Sequence, residues 1–284
     1  MKKWNQHSRG LLFILMAAFF FALMSFFIRL SGDLPTMQKS FFRNAVASVA
    51  AILMLSRTEE KFRIKKGSIP WLLIRSVAGT FGIICNYYAI DHMNISDANM
   101  LNKLSPFFAI IASIFILKEK VSKIEWATVF VAFGGALLVM KPSFSAEAAP
   151  ALIGVLGGLG AGIAYTFVRF LGKRGERGPV IVMFFSVFST LFCLPFMAAD
   201  FHPMTVSQLL CLLAAGGAAA GGQLSITAAY TAAPAKEISV FDYSQILFSA
   251  LLGIFFLGQY PDWMSLLGYA VIIGAAVWKW QYGR

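Results

Sequence analysis

Charge is what this sequence has least of. Asp, Glu, Lys and Arg make up 13% of its 284 residues, against roughly 25% in a soluble globule, whose surface must face water. An ordinary soluble enzyme, a disordered chain and a fibrous repeat are thereby excluded. Histidine and cysteine are as scarce. His7, His92 and His202 fall in the N-terminal tail and in loops, so no metal cluster is expected. Cys85, Cys193 and Cys211 lie in apolar runs without paired spacing, which reads as buried small side chains and no disulfide framework. A Walker loop, a G-x-S-x-G elbow and a Ser/His/Asp arrangement are all missing, which argues against an ATP-driven pump and against a hydrolase. No cofactor is expected.

What the chain has in excess is apolar length. Hydrophobic residues are 58% of it, Phe alone contributes 28, and the mean hydropathy is +0.73. A membrane-spanning helix needs about 20 mostly apolar residues. By that measure the sequence predicts an all-α polytopic membrane protein with ten spans, at about 10–30, 37–56, 70–90, 96–117, 124–140, 151–171, 179–198, 206–230, 236–257 and 263–280. The connections are short and the runs do not alternate, so helices rather than a barrel satisfy the backbone in lipid. The run from Leu11 to Leu30 follows a basic start and lacks a small-x-small cleavage site, the pattern of a retained first span.

The net charge, +11 from 24 Lys and Arg against 13 Asp and Glu, would suit nucleic acid if it formed a patch. Instead the basic residues sit between apolar runs. With the N-terminus inside, 17 of them face the cytoplasm: Lys2, Lys3, Arg9, Arg57, Lys61, Arg63, Lys65, Lys66, Lys118, Lys120, Lys123, Lys173, Arg174, Arg177, Lys236, Lys279 and Arg284. Only Arg29, Lys39 and Lys141 face the other way, and Arg43, Arg75, Lys103 and Arg169 fall within spans. This asymmetry predicts a multi-pass protein of the cytoplasmic membrane with both termini in the cytoplasm, and no nucleic-acid partner.

Sliding the chain against itself by 140 residues brings its halves into register without a gap. Arg29 falls on Arg169, Gly32 on Gly172, Leu72 on Leu212, Gly82 on Gly222, Ala89 on Ala229, Phe115 on Phe255 and Gly134 on Gly274. The spans superpose under the same shift. Each half holds five, an odd number, so residues 143–284 are expected to enter the membrane upside down relative to residues 1–142. Such an inverted repeat can open a midplane site to either side in turn.

The run Asn86-Tyr87-Tyr88-Ala89-Ile90 resembles the end of the third helix of the EamA-like branch of the drug/metabolite transporter superfamily. Leu104-Ser105-Pro106-Phe107-Phe108, followed by Leu117-Lys118-Glu119-Lys120, resembles its fourth. The second half echoes the pattern from Gln245 to Leu257-Gly258-Gln259, with Gln259 in place of the family's glutamate and Ile246 at the proline position. The resemblance covers essentially the whole chain. It implies that helices one to four of each half enclose a central cavity and that the fifth packs outside.

A charge at the centre of a spanning helix costs about 2.5–3.5 kcal/mol on insertion scales, so such residues should face protein or water. In the fourth span Asn99, Asn102, Lys103 and Pro106 share one helix face; their counterparts under the shift are Ser239, Asp242, Tyr243 and Ile246. Lys103 and Asp242 are expected either to contact solute or to pair with each other as a buried lock; a third reading has Lys103 snorkelling outward. Asn86 shares a face with Gly79 and Gly82, and Tyr87 and Tyr88 beside it offer aromatic walls, or else interfacial belt residues. Ser25 with Arg29 and Tyr165 with Arg169 repeat at i, i+4; the arginines, near helix ends, suit headgroups or loop carboxylates. Arg43, in line with Ser40 and Ser48 and beside Asn44, lies deeper.

Gly154, Gly158 and Gly162, and Gly217 with Gly221, have the spacing for close helix approach. Pro106, Pro195 and Pro234 leave backbone carbonyls unpaired and are expected to kink a helix or to expose polar groups to a cavity. Gly268 and Gly274 leave a homodimer contact open. The functional expectation is a secondary transporter, by export in most of the resembled branch, for a small polar solute. Lys103 and Arg43 suit an anionic or zwitterionic one, such as an amino acid or organic acid. Proton coupling through Asp242, counter-solute exchange and passive uniport are all compatible. A lipid-modifying membrane enzyme and a channel are the alternatives.

Overall fold

The computed structural model describes residues 6–92, 101–140, 148–258 and 260–282, and every regular element among them is helical. In chain order these are α1 (Gln6–Leu30), α2 (Thr36–Ser56), α3 (Ile69–His92), α4 (Ser105–Leu117), α5 (Lys123–Met140), α6 (Ala148–Lys173), α7 (Gly178–Ala199), α8 (Val206–Ala232), the single turn α9 (Ala235–Ile238), a 3-10 segment (Ser239–Tyr243), α10 (Ser244–Leu257) and α11 (Trp263–Tyr282). Among the described residues seven stretches are long and apolar enough to cross a bilayer: Ser8–Leu30, Ile69–Asn86, Ala149–Lys173, Gly178–Ala199, Val206–Ala232, Ala235–Leu257 and Trp263–Tyr282; the first part of the span expected at 96–117 lies outside them. Of the other three predicted spans, α2 carries Gln38, Lys39, Arg43 and Asn44, α4 is 13 residues long and α5 is 18.

Local chemistry sets the helix ends. Ser122 and Glu125 form a reciprocal cap at the start of α5, with Ser122 N–H donating to Glu125 Oε2 at 2.6 Å and Glu125 N–H to Ser122 Oγ at 3.3 Å. Thr205 and Gln208 do the same for α8. α4 and α10 both stop at a left-handed residue, Lys118 (φ 55°) and Gly258 (φ 61°), whose N–H groups bond Ser113 O and Gly253 O.

The packing is mostly between residues far apart in sequence. α1 lies on α8 and α6 on α3; α4 lies on α6 and α10 on α1; α2 packs on α7 and α5 on α11. Small residues make the closest of these approaches. A Cβ on Gly158 would stand 2.8 Å from Leu101 O, one on Gly162 2.7 Å from Ala109 N, and one on Gly160 2.8 Å from Ala78 O. α6 therefore presents one glycine face to α4 and another to α3. Gly217, predicted to join such a contact, has nothing within 4 Å of its Cβ position; α8 uses Gly216, against Val46, and Gly221 and Gly222, against Phe20 and Phe21. Gly268 meets Gly135 of α5 inside the chain, which removes it as a dimer surface, whereas Gly274 faces open space. The three prolines divide. Pro106 and Pro234 stand at helix starts, where they separate one helical segment from the next, and of the three only Pro195 lies within a helix.

The apolar core is not spread evenly. Leu72, Leu171, Val180, Ile181 and Ile238, all fully buried, lie within about two turns of the helix ends that carry the basic loops. Toward the opposite end buried polar residues, Ser40, Arg43, Asn44, Ser48, Ser186 and Ser189, stand among buried apolar ones such as Leu212 and Ala215. The molecule is plugged with hydrocarbon at its basic end.

These approaches predict opposite outcomes for two glycines. Gly162→Ala drives a methyl into the α4 backbone and should destabilise by about 1–3 kcal/mol. Gly217→Ala meets nothing and, as a glycine removed from a helix interior, should be neutral or stabilising by up to about 1 kcal/mol. Thermal unfolding of the two purified variants checks both.

Candidate functional site

The site begins with a broken helix. Pro106 has no N–H to offer the Asn102 carbonyl. The chain therefore tightens before α4 into i, i+3 bonds, Leu104 N–H to Leu101 O at 3.1 Å and Phe107 N–H to Leu104 O at 3.0 Å. The Lys103 carbonyl is thereby left without an N–H partner in its own helix, and Tyr243 Oη donates to it at 2.9 Å from the other half of the chain. At the matching point of the second half the helix is also interrupted, although no proline stands there. Ser239–Tyr243 winds as a 3-10 helix, and Ser244 Oγ bonds back to Phe241 O at 2.6 Å. Short polar side chains that bond the local backbone weaken an α-helix in this way.

The two interruptions meet. Lys103 Nζ lies 3.3 Å from Asp242 Oδ2 and donates to Gln245 Oε1 at 2.7 Å, with the two charged side chains only 13% and 11% exposed. Beside them the ring of Tyr165 stacks on that of Tyr230, centroids 5.0 Å apart, within range of the charges on Asp242, Arg75 and Arg43. Lys103, Asp242, Tyr243, Tyr165 and Arg43 thus gather in one interior region. Asn102 is half-buried, with its backbone carbonyl against Gly158. Asn86 is half-buried with its Oδ1 shielded and unpartnered. Tyr88 goes elsewhere: it is 38% exposed and stacks on the His92 ring at 4.0 Å. Asn99 and the Tyr87 side chain lie outside the described residues. A surface cleft of about 590 Å³ opens at the basic end beside Lys118, Glu119 and Trp126, away from Lys103; the chemistry, not that cleft, marks the site.

Besides Lys103–Asp242, five ion pairs between described residues before and after position 142 lie at the basic end. Glu119 meets Lys173 at 2.8 Å and Arg169 at 3.6 Å. Glu125 meets Lys279 at 3.5 Å and Lys236 at 3.7 Å, and Glu60 meets Arg177 at 3.1 Å. At the opposite end the ties between the same segments include neutral hydrogen bonds: Gln38 exchanges two with the backbone of His202, at 2.9 and 3.0 Å, and Gln208 donates to Ser31 O at 3.2 Å.

A model of the EamA-like transporter family matches residues 8–141 and again residues 151–279. The chain belongs to that family. Its relatives include the pseudopaline exporter CntI of Pseudomonas aeruginosa, 31% identical over 94% of each chain. An uncharacterized transporter of Helicobacter pylori is 26% identical over 93% of this chain and 92% of its own. Human solute carrier family 35 member G1 is 25% identical over 95% of this chain and 80% of its own. One solved crystal structure superposes with a TM-score of 0.80 at 16% identity, covering 95% of this chain and 96% of the other, and so shares its fold. This EamA-family chain is accordingly a multi-pass membrane transporter of the drug/metabolite transporter superfamily.

Sequence reasoning missed Gln245, Gln223, Tyr230 and Arg75. Gln245 was legible: it occupies the register of Ser105 beside a charged residue. Arg75 stood out only as a cation inside a span, and its partners Gln223 and Phe185 come from α8 and α7, beyond any local signal.

The Lys103–Asp242 pair predicts a characteristic rescue. Asp242→Asn leaves a buried cation without its counter-ion and should cost about 3–5 kcal/mol, whereas Lys103→Met with Asp242→Leu removes both charges and should recover most of that loss. Thermal unfolding of single and double variants measures it.

Proposed function

We propose that this EamA-family chain is a secondary transporter of the cytoplasmic membrane, with ten spans in two five-helix halves, residues 1–142 and 143–284, inserted in opposite senses. It exports a small polar metabolite, amino-acid-like or an organic anion, by alternating access. The observation that carries the reading is the pair of interrupted helices whose Lys103 and Asp242 meet across the halves. Helices interrupted at matching positions of two repeats are where secondary transporters hold solute, because the freed backbone and the gap between halves line a cavity.

The helix contacts support the opposed insertion. Exchanging α1 with α6, α2 with α7, α3 with α8, α4 with α10 and α5 with α11 turns the α1–α8 contact into α6–α3 and the α4–α6 contact into α10–α1, and leaves α2–α7 and α5–α11 as they are. The left-handed caps at Lys118 and Gly258 also correspond under the 140-residue shift, as do the carbonyls of Ser113 and Gly253 that they bond.

In this mechanism Lys103 and Asp242 neutralise each other while the site is empty. An anionic solute competes with Asp242 for the Lys103 ammonium, and the freed carboxylate can take up a proton or a solute ammonium. Loading from the basic end requires the Glu119, Glu125 and Glu60 pairs to part, and release at the other end requires the Gln38–His202 and Gln208–Ser31 hydrogen bonds to break. Export is supported by the likeness to the pseudopaline exporter of Pseudomonas aeruginosa.

Two outcomes are expected. Proteoliposomes preloaded with an accepted organic anion should show saturable counterflow, lost in Lys103→Ala and Asp242→Asn; unchanged flux in both variants would exclude the pair from the site. A tag at the N-terminus and another just after Lys141 should be reached from opposite faces of the membrane. Labelling both from one face would refute the opposed insertion.

A further inference from the structure

At mid-depth the described residues place three cations, Arg43, Arg75 and Lys103, and one carboxylate, Asp242, which Lys103 occupies; the other buried charges, Glu125, Glu176 and Lys279, belong to the basic end. The arginines are left with neutral partners. Arg75, 1% exposed, donates from Nη2 to Gln223 Oε1 at 3.1 Å and lays its guanidinium 3.6 Å from the centroid of the Phe185 ring. Its Nε and Nη1 are buried with no hydrogen-bond partner. Arg43, 6% exposed, gives Nε to Met24 Sδ at 3.1 Å and Nη1 to Asn44 Oδ1 at a long 3.4 Å. A guanidinium carries five N–H donors and keeps its charge, so both side chains are under-used. They act on each other electrostatically and both act on Tyr165, next to the Lys103–Asp242 pair. The hydroxyls of Ser76, next to Arg75 in α3, and Ser186, next to Phe185 in α7, are also buried and unpartnered.

We propose that Arg75 and Arg43 form a second anion subsite, and that the transported solute carries at least two carboxylates, one drawn to Lys103 and another to the arginines. This rests on the transporter reading above and narrows its substrate class. Two uncompensated cations in a region of low dielectric repel each other and have lost their hydration. With Asp242, a dianionic solute that spans Lys103 and the arginines brings the three cations to neutrality; a monoanion drawn to Lys103 leaves the arginines bare, as does a neutral solute. The class is carboxylate because a planar guanidinium pairs with it through two parallel hydrogen bonds, which an ammonium cannot supply. The Phe185 face holds the guanidinium plane while two of its nitrogens stay free.

The test uses the purified full-length protein with acetate, succinate, citrate, inorganic phosphate and succinamide as probes, read by calorimetric titration. Succinate or citrate should bind about 10-fold or more tightly than acetate, the worth of one added charged hydrogen-bonding group, with phosphate weaker and succinamide silent. Arg75→Lys keeps the charge and should keep the fold, yet should weaken the di- and tricarboxylates by about 10- to 100-fold while leaving acetate unchanged. A merely structural arginine would weaken every probe alike, and that result would overturn the proposal. Equal affinity for acetate and succinate, no binding of any carboxylate, or tighter Arg75-dependent binding of phosphate would also overturn it. Failure of the transporter reading looks different: no solute of any valence would then give counterflow in proteoliposomes.

Discussion

A lysine and an aspartate held 3.3 Å apart in the interior constrain almost everything around them. Neither could be buried alone, since an unpaired charge in this environment costs several kcal/mol. Bringing them together requires two helices, far apart in sequence, to be interrupted at facing points. Pro106 provides one interruption, and the polar run Ser239, Asp242, Ser244 provides the other. Each break frees backbone groups that must then be satisfied across the interface, as Tyr243 does for the Lys103 carbonyl. The pair, the breaks and the cross-half hydrogen bonds therefore form one unit. That unit ties the family's two matched segments into a single transporter.

The rest of the interior differs between the two ends of the bundle. Hydrocarbon is concentrated toward the basic end, and carboxylates at Glu119 and Glu125 each engage two cations from the second half. The other end of the bundle keeps buried polar side chains joined by neutral hydrogen bonds, such as Thr80 with Ser189 at 2.6 Å and Ser48 with Thr190 at 3.3 Å. In the proposed mechanism the basic end is the closed one. Glycine faces on α6 bring the α3 and α4 backbones close enough for the two halves to seal without large side chains between them.

Much of the fold was legible in the sequence because one physical requirement dominates it. Apolar length sets helix length in lipid, so the span expected at 179–198 is Gly178–Ala199 and the one at 206–230 is Val206–Ala232. The facing of individual side chains was much less legible. In a membrane helix both the lipid side and the packed side are apolar, so periodicity does not tell them apart. Asn86 and Tyr88 illustrate this: two residues apart, they stand on opposite sides of α3, and only one can face inward. The interior pairing of Lys103 and Asp242 was one of the readings the sequence left open. Arg75 could not be assigned, because the ring and the amide that hold it come from other helices.

The distribution of ion pairs also bears on how such a molecule can move. Lys173 is 43% exposed and Glu60 is 61% exposed, so their pairs are worth about 0–1 kcal/mol each in water and can part readily. Glu125 with Lys279 is buried, with side chains 8% and 2% exposed, and parting them is harder unless water reaches both as the end opens. Opening the basic end hydrates these groups as it separates them, so much of the lost attraction is returned as solvation. No such exchange is available to Lys103 and Asp242 deeper in the bundle, where separation has to be matched by another charged group. A solute that supplies that charge can shift the balance between conformations, because it interacts differently with the paired and the parted states. In the proposed mechanism binding and conformational change are thereby coupled through the same two side chains.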